Sequence, residues 1–327
     1  MIYCLLTGAI LFILELLYFK LADHFNIIDK PNQRSSHQQI TLRGGGIIFP
    51  IAGIATLLLF QPQQWRLAIG IMLMASISFL DDVMTLSSKI RMLVHLIAVS
   101  LLLYQAKTDL TIQIFTPYSL LLLPILYLFI IGIINAYNFM DGINGITVMY
   151  SLVSVGTLFW IQKVEHFILL DDRVWWAILA SLCVFGFFNV RKKAKAFSGD
   201  VGSITMAFIL CFTLLMLILH TENLKWILLL GIYGIDTVFT ICSRLIKKEN
   251  IFEAHRSHFY QYLANEKKMN HLQVSLLYAI LQLLLNLSVV FATLPVTLIL
   301  FFVIVVSYLL LRIKLEGYQK LFSSIAN

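Results

Sequence analysis

The sequence contains few charged residues, and this scarcity excludes an ordinary water-soluble domain. Asp, Glu, Lys and Arg make up 13% of the 327 residues, whereas 60% are hydrophobic and the mean hydropathy is +0.88. Apolar runs of about 20 residues, the length at which a helix crosses a bilayer, recur from end to end. Because helices satisfy their own backbone hydrogen bonds in lipid, we predict an all-α integral membrane protein.

Cysteine and long polar stretches are also scarce. The four cysteines, Cys4, Cys183, Cys211 and Cys242, lie in apolar runs without paired or metal-ligand spacing, which predicts free thiols. No basic segment precedes the first apolar run and no small-residue cleavage site follows it, so we expect it to remain as a helix. The longest polar connection covers about residues 243–271. We therefore expect residues 1–327 to form one polytopic domain.

Apolar runs bounded by polar clusters predict a bundle of about eleven transmembrane helices. These runs begin near residues 2, 44, 66, 92, 118, 146, 174, 203, 225, 272 and 294. An odd number of spans places the two termini on opposite sides of the membrane.

Basic residues predict the orientation of the bundle. Nineteen of the 24 Lys and Arg residues fall in one set of alternate loops, which the positive-inside rule assigns to the cytoplasm. All five tryptophans fall at span ends on the other side, where amphipathic rings suit the membrane interface. The N-terminus is therefore expected outside and the C-terminus inside. The net charge of +7 follows from this asymmetry, and no nucleic-acid partner is needed to explain it.

Acidic residues gather at the predicted inner ends of spans. In "FLDDVMTLSSKIR", Asp81 and Asp82 end the third span, where the helix dipole and their mutual repulsion disfavour two carboxylates. A bound metal or a proton-transfer role accounts for them better than a solvated loop does.

The segment "FSGDVGS" places Asp200 just before the eighth span. An Asp at this position is commonly the N-cap of the following helix. Alternatively, Gly199 and Gly202 let backbone approach a phosphate at the helix N-terminus while Asp200 holds a metal ion.

Polar residues also interrupt the apolar pattern in "NAYNFMDGINGI". Asn138, Asp141 and Asn144 recur every three residues, so in a helical or turning segment they are expected to share one face. An ordinary loop is the alternative, although it does not need so many polar positions.

Two further inner loops carry cations and histidines. In "DKPNQRSSHQQITLRGGG", Lys30, Arg34 and Arg43 are a topology signal, and the three glycines predict close approach to a ligand or a neighbouring helix. In "FEAHRSHFYQYL", the pattern favours phosphate binding over zinc because no cysteine accompanies His255 and His258. An interfacial surface helix is the alternative.

Two acids lie within predicted spans. Asp236, near the inner end of the ninth span, is a functional candidate because ionisable groups at this depth are costly. Glu15, in the first span, is expected to pair with Lys20 as a snorkelling pair.

Taken in order, these motifs resemble the polyprenyl-phosphate N-acetylhexosamine-1-phosphate transferases of glycosyltransferase family 4. The superfamily also includes the phospho-MurNAc-pentapeptide translocase, which initiates lipid-linked peptidoglycan synthesis. The resemblance covers nearly the whole chain. It is carried by "DKPNQRSSH" with "RGGG", "FLDDVMTL", "NAYNFMDGINGI", "FSGDVGS" and "HRSHFYQ". Eleven spans with the N-terminus outside is the topology of that family.

The resemblance implies transfer of a sugar 1-phosphate from a UDP-N-acetylhexosamine to undecaprenyl phosphate in the membrane lipid, with release of UMP. It implies a requirement for Mg²⁺, for which Mn²⁺ substitutes, and a homodimer. The catalytic residues expected are Asp81 and Asp82, with Asp81 as the base. The metal ligands expected are Asp200, Asp82 and Asp141. The substrate-binding residues expected are Asn138, Asp141, Asn144, His255, Arg256, His258, Lys30, Arg34, Arg43 and Asp236.

The histidine motif departs from the three adjacent histidines of the peptidoglycan branch. The resemblance is therefore closer to enzymes that initiate O-antigen, capsule or other surface polysaccharides at the bacterial inner membrane. The active site is expected to face the cytoplasm. Its loops are expected near residues 21–43, 81–91, 135–145, 191–202 and 243–271. A transporter or flippase for an anionic or polyprenyl-linked solute is the alternative, but the acids gather at one face and no repeat is evident.

Overall fold

The chain folds into α-helices with one two-stranded sheet, as a computed structural model shows for residues 2–29, 40–110, 122–251, 253 and 255–322. Within these ranges the helices are α1 (Ile2–His24), α2 (Ile48–Phe60), α3 (Trp65–Val83), α4 (Ser88–Leu110), α5 (Leu123–Phe139), α6 (Ile146–Glu165), α7 (Asp172–Asn189), α8 (Gly199–Thr221), α9 (Gly231–Ile246), α10 (Phe259–Asn265), α11 (His271–Phe291), α12 (Leu294–Glu316) and α13 (Tyr318–Phe322). Strands β1 (Ile28–Asp29) and β2 (Thr41–Leu42) are antiparallel, with Ile28 opposite Leu42. Short 3₁₀ turns at Gly45–Ile47, Pro62–Gln64 and Leu224–Leu230 lead into α2, α3 and α9.

The helices confirm an all-α, multi-pass membrane architecture. Within the described ranges, eleven helices have 13 residues or more, and they begin close to the predicted span starts. The start expected near residue 118 lies outside those ranges, and α5 begins at Leu123. In the part of the chain that the structure describes, six stretches are long and apolar enough to cross a membrane: Tyr3–His24, Ser88–Leu110, Gly199–Thr221, Leu224–Ile246, His271–Phe291 and Leu294–Glu316. The number of spans and the orientation of the termini remain predictions.

Helix α8 lies at the centre of the bundle. It packs against α2, α3, α4, α5 and α6, and 94% of the most apolar 18-residue stretch of the helix is buried. By contrast, only 6% of the most apolar 18-residue stretch of α12 is buried. The first turn of α8, which carries Asp200, is therefore fixed by several neighbouring helices at once.

The loops gather at two opposite ends of the bundle. At one end the Tyr3 hydroxyl donates to the Arg173 carbonyl over 3.0 Å, and the Asp171 backbone N–H donates to Gln61 Oε1 over 2.7 Å. At the other end the connection before α2 meets the connection before α8. This grouping agrees with the division into two sets of alternate loops.

The glycines before α2 bring its loop directly against α8. The backbone N–H groups of Gly45 and Gly46 donate to the carbonyls of Phe197 and Ser198 over 2.8 and 3.0 Å. A Cβ on Gly46 would lie 2.4 Å from the Cα of Gly202. Of the two roles expected for these glycines, the structure therefore shows close approach to a neighbouring helix.

The expected pairing of Glu15 with Lys20 is wrong. Glu15 is fully buried, and neither carboxyl oxygen has a hydrogen-bond partner among the described residues, whereas Lys20 is exposed. Helix positions five apart do not share a face, which explains the separation. Instead, Oε1 of Glu15 lies 3.1 Å from the position a Cβ would take on Gly45.

The Gly46 contact predicts a position-specific cost of adding one methyl group. Gly46→Ala should destabilise the purified protein by about 1–3 kcal/mol, because the loop and α8 must separate to admit the methyl group. Gly132→Ala in α5 is the matched control, since a Cβ there has no neighbour within 4 Å and the change improves helix propensity. Thermal unfolding of both variants in one detergent checks the difference. Equal midpoints would contradict the tight contact.

Candidate active site

The end of α3 meets the beginning of α8 through the side chain of Asp82. Its Oδ1 accepts from the Asp200 N–H over 3.0 Å, and its Oδ2 accepts from the Val201 N–H over 3.1 Å. Asp82 thus caps α8 from another helix, and its charge lies at the positive end of the α8 dipole. This contact offsets the unfavourable position of Asp82 at the end of its own helix.

Arg43 connects the two carboxylates at this junction. Its Nε lies 2.8 Å from Asp82 Oδ1, and its Nη2 lies 3.7 Å from Asp200 Oδ1. Burial lowers the pKa of Arg43, but the two carboxylates more than offset that effect and raise it. Arg43 therefore stays charged, and its side chain remains 34% exposed.

Asp200 lies in the first turn of α8, so it is not the N-cap that one reading of the sequence favoured. The N-cap residue is Ser198, and the cap contacts come from Asp82. Gly199 has a φ of +69°, and a Cβ there would lie 2.4 Å from Asp82 Oδ2. A glycine is therefore required for Asp82 to reach the helix. The Asp200 side chain remains 20% exposed.

Asn138 and Asp141 reach the same junction from the end of α5. Asn138 Oδ1 accepts from the Ser203 hydroxyl over 2.7 Å, and the Asn138 side chain also bonds to Asp200. Asp141 accepts from Thr147 Oγ1 over 2.5 Å and from the Ser198 hydroxyl. Burial raises the pKa of Asp141 to about 6, although both hydroxyl bonds act against that rise.

Asn144 does not share a face with Asn138 and Asp141, contrary to the expectation from their spacing. Its Nδ2 donates to the carbonyls of Arg191 and Lys192 over 2.9 and 3.3 Å. The helix ends at Phe139, and the following turn breaks the helical period on which the expectation depended. Asn144 is 5% exposed and supports the loop.

Asp81 forms an ion pair at the edge of the site. Arg91 Nη1 lies 2.5 Å from its Oδ2, and the Leu86 N–H donates to its Oδ1 over 2.9 Å. The adjacent acids thus differ, because Asp82 faces Arg43 and α8 whereas Asp81 faces α4. Arg91 is one of the nineteen basic residues that the positive-inside rule assigns to the cytoplasm. The sequence did not predict its contact with Asp81.

The histidine segment, residues 255–260, borders the turn after α5. The Tyr260 hydroxyl donates to the Phe139 carbonyl over 2.8 Å, and the ring centroids of His255 and Phe139 are 6.0 Å apart. A Cβ on Gly142 would lie 2.2 Å from the Tyr260 oxygen, so the segment packs closely on the turn after α5.

Of the other residues expected to bind substrate, one is exposed, two are buried and two lie outside the described residues. Arg256 is exposed and lines a polar cavity of about 80 Å³ with Lys247 and Glu316. His258 is 2% exposed and Asp236 is fully buried, so neither lies at the surface of the site. Lys30 and Arg34 lie outside the described residues.

The donor set suits a hard cation, although it is smaller than expected. Among the described residues, no group of three or more Asp, Glu, His or Cys side chains is arranged to hold a metal ion. Mg²⁺ usually takes one or two carboxylates and keeps water or phosphate as its other ligands. Asp200 with the oxygen-bearing Asn138 fits that pattern better than three carboxylates do, since Asp82 is committed to its cap and Arg43.

The acid sensitivity of folding provides a test of the His255 environment. Burial, followed by His258 and Arg244, lowers the pKa of His255 from 6.5 to about 4. Between these two values the unfolded chain binds a proton that the folded chain does not, so this group costs stability progressively as the pH falls. His255→Gln should therefore show a smaller drop in unfolding temperature between pH 6.5 and 4 than the unsubstituted protein. Parallel curves would contradict the buried environment.

Comparison with known proteins identifies a similar family and similar chains. The sequence model of the family described as Glycosyl transferase family 4 matches residues 64–218, which include both ends of the Asp82 contact. A probable undecaprenyl-phosphate N-acetylglucosaminyl 1-phosphate transferase of Bacillus subtilis is 26% identical over 80% of this chain and 76% of its own.

Two other relatives have related names. The undecaprenyl-phosphate alpha-N-acetylglucosaminyl 1-phosphate transferase of Escherichia coli K12 is 28% identical over 78% of this chain and 74% of its own. A phospho-N-acetylmuramoyl-pentapeptide-transferase of Lactobacillus acidophilus is 28% identical over 62% of this chain and 68% of its own. Residues 64–218 are therefore similar to glycosyl transferase family 4, and most of the chain is similar to curated proteins named as undecaprenyl-phosphate N-acetylglucosaminyl 1-phosphate transferases.

Proposed function

We propose that this protein transfers an N-acetylhexosamine 1-phosphate from a UDP-sugar to undecaprenyl phosphate, releasing UMP, at the cytoplasmic face of the bacterial inner membrane. One observation carries the proposal. Arg43, Asp82, Asp141 and Asp200 come from four separate segments, yet they meet at one end of the bundle. A site at a membrane surface gives access both to an aqueous nucleotide and to a lipid headgroup.

The names of the relatives support the class of substrates. The Bacillus and Escherichia proteins are both named for undecaprenyl phosphate and N-acetylglucosaminyl 1-phosphate. The pentapeptide transferase has a different sugar component, and the histidine motif of this chain departs from the three adjacent histidines of that branch. We therefore place this chain with enzymes that initiate surface polysaccharides, and a panel of UDP-N-acetylhexosamines will identify the sugar.

The chemistry requires two anionic phosphates to approach each other, so neutralisation and alignment are the main tasks. Asp200 and Asn138, with Asp141 nearby, would hold Mg²⁺, or Mn²⁺ in its place. When bound, the ion would neutralise charge on the pyrophosphate of the donor. Arg43 contributes a fixed positive charge at the same junction, held in place by Asp82.

Asp81 is the proposed base for the acceptor. It would take the proton from the lipid phosphate, whose oxygen then bonds to the β-phosphorus of the UDP-sugar while the bond from that phosphorus to the UMP oxygen breaks. Because the second pKa of a phosphate monoester is near 6, this transfer needs little driving force. Arg91 pairs with Asp81, and it would contact the incoming phosphate as Asp81 becomes neutral.

Two alternative mechanisms make different predictions for a simple assay. A covalent aspartyl-phosphate path would release UMP from the UDP-sugar even without lipid. A transporter or flippase would release none, and its polar site would be expected near the membrane midplane. Direct transfer requires that UMP appear only when both substrates and the divalent cation are present.

Two carboxylate substitutions test the catalytic assignments. Asp200→Asn and Asp81→Asn should each lower UMP release by at least about 10²-fold, because each removes several kcal/mol of transition-state stabilisation. Asp172→Asn is the control, since Asp172 is an exposed ion-paired acid at the opposite end of the bundle. A lipid-dependent assay of detergent-purified proteins with unchanged unfolding temperatures provides the measurement. Near-normal turnover in either variant would remove that residue from the mechanism.

A separate substitution tests the donor side of the site. Arg256→Ala should raise the KM for the UDP-sugar about 10-fold and leave the KM for the lipid unchanged, because a cation on the donor diphosphate is lost. Lys163→Ala, at an exposed cation at the opposite end of the bundle, is the matched control. Unchanged kinetics of Arg256→Ala across UDP-sugar concentrations would refute the assignment.

A further inference from the structure

The buried carboxylate of Asp236 collects an unusual number of hydrogen-bond donors. It is fully buried in α9 and is therefore not positioned to bind a substrate directly. Its donors are Thr240 Oγ1 at 3.2 Å, His258 Nδ1 at 3.2 Å, the Phe259 N–H at 3.0 Å, the Tyr260 N–H at 3.2 Å and the Tyr278 hydroxyl at 2.5 Å. Three of these five donors belong to the histidine segment.

The backbone contacts fix the start of α10. A helix of seven residues has little stability by itself, because nucleation is unfavourable and few internal bonds follow it. Asp236 satisfies the N–H groups of Phe259 and Tyr260 from a neighbouring helix, as Asp82 does for α8. Tyr260 in turn donates to the Phe139 carbonyl, which fixes α10 against the turn that carries Asp141.

The side-chain contact orients the first ring of the segment. Because Asp236 accepts from His258 Nδ1, that nitrogen carries the hydrogen. His258 is 2% exposed, and its Nε2 has no hydrogen-bond partner among the described residues. The His255 ring stacks on it with centroids 5.1 Å apart and an angle of 29°. His258 thus lies behind His255, which is only partly buried.

A second buried residue holds the same segment through a separate hydrogen bond. Arg312 is 3% exposed, and its Nη2 donates to the Ser257 carbonyl over 2.9 Å while its Nη1 donates to Thr240 Oγ1 over 3.1 Å. Its charge is balanced by Glu316, with Nε to Oε1 at 2.6 Å. The chain between His255 and Tyr260 is therefore held by fixed hydrogen bonds to α9 and α12.

We infer that Asp236 is a positioning residue that acts through His258. It fixes the ring on which His255 rests, and so sets where His255 and Arg256 meet the diphosphate of the donor. This inference rests on the proposed function for the identity of the ligand. It replaces the expectation that Asp236 and His258 bind substrate themselves.

A double-mutant cycle tests the dependence of Asp236 on His258. Asp236→Asn and His258→Gln should each raise the KM for the UDP-sugar by about 10- to 100-fold, the usual range for residues that orient a ligand-binding group. The KM for undecaprenyl phosphate should stay unchanged. If Asp236 acts through His258, the double variant should be no worse than either single variant. Multiplied effects, or a change confined to the lipid KM, would overturn the inference.

Tyr278→Phe is the matched control. It removes one donor from the same buried carboxylate but leaves the His258 contact intact. Its KM for the UDP-sugar should stay within about 3-fold of the unsubstituted value, since the ligand-orienting contact is retained. A rise equal to that of Asp236→Asn would show that general packing around the acid, rather than the histidine, carries the effect. If Asp236→Asn does not fold, His258→Gln and Tyr278→Phe still separate these outcomes.

Hydrogen exchange gives a readout that needs no turnover. Asp236→Asn should speed amide exchange in residues 259–265 of the purified full chain, while the first turn of α8 stays protected. If the unsubstituted enzyme released no UMP but this change appeared, the proposed function would fail and the positioning role would stand. Unchanged exchange in α10 would overturn the positioning role even if the transferase assay succeeded.

Discussion

The contact between the Asp82 carboxylate and the first turn of α8 determines the geometry of the site. It joins the negative end of α3 to the positive end of α8, so a position that is unfavourable for an acid within its own helix becomes favourable through a second one. Arg43 adds an ion pair to the same carboxylate. Because α8 is the most enclosed of the apolar spans, the position of Asp200 is fixed with the rest of the bundle.

Asp82 and Asp236 both cap a helix from another part of the chain, and this role separates them from the other acids. Asp82 and Asp236 are buried acceptors for the N–H groups of helices that begin elsewhere in the chain. Asp81 and Asp200 retain some exposure and have charged partners at the edge of the junction. In sequence both kinds look alike, since each is an aspartate at or near the inner end of an apolar run.

The sequence was sufficient to predict the helices and the convergence of the acids, because both follow from hydrophobic run length and from the cost of charge in lipid. It was insufficient where side-chain direction depends on a turn or on helix rotation. Asn144 and Glu15 were misplaced for this reason. The contact of Arg91 with Asp81 was also not predicted, because the positive-inside rule already explains a cation at the end of a span. Ser198 could have been found from its place beside Asp200, but nothing in the sequence shows that it bonds to Asp141.

The contact of Gly46 with Gly202 has a mechanical consequence. With no side chain between the two backbones, the loop that carries Arg43 and the turn that carries Asp200 cannot slide or rotate independently. This side of the junction is rigid, and the distance between Arg43 and Asp200 is set before any ligand arrives.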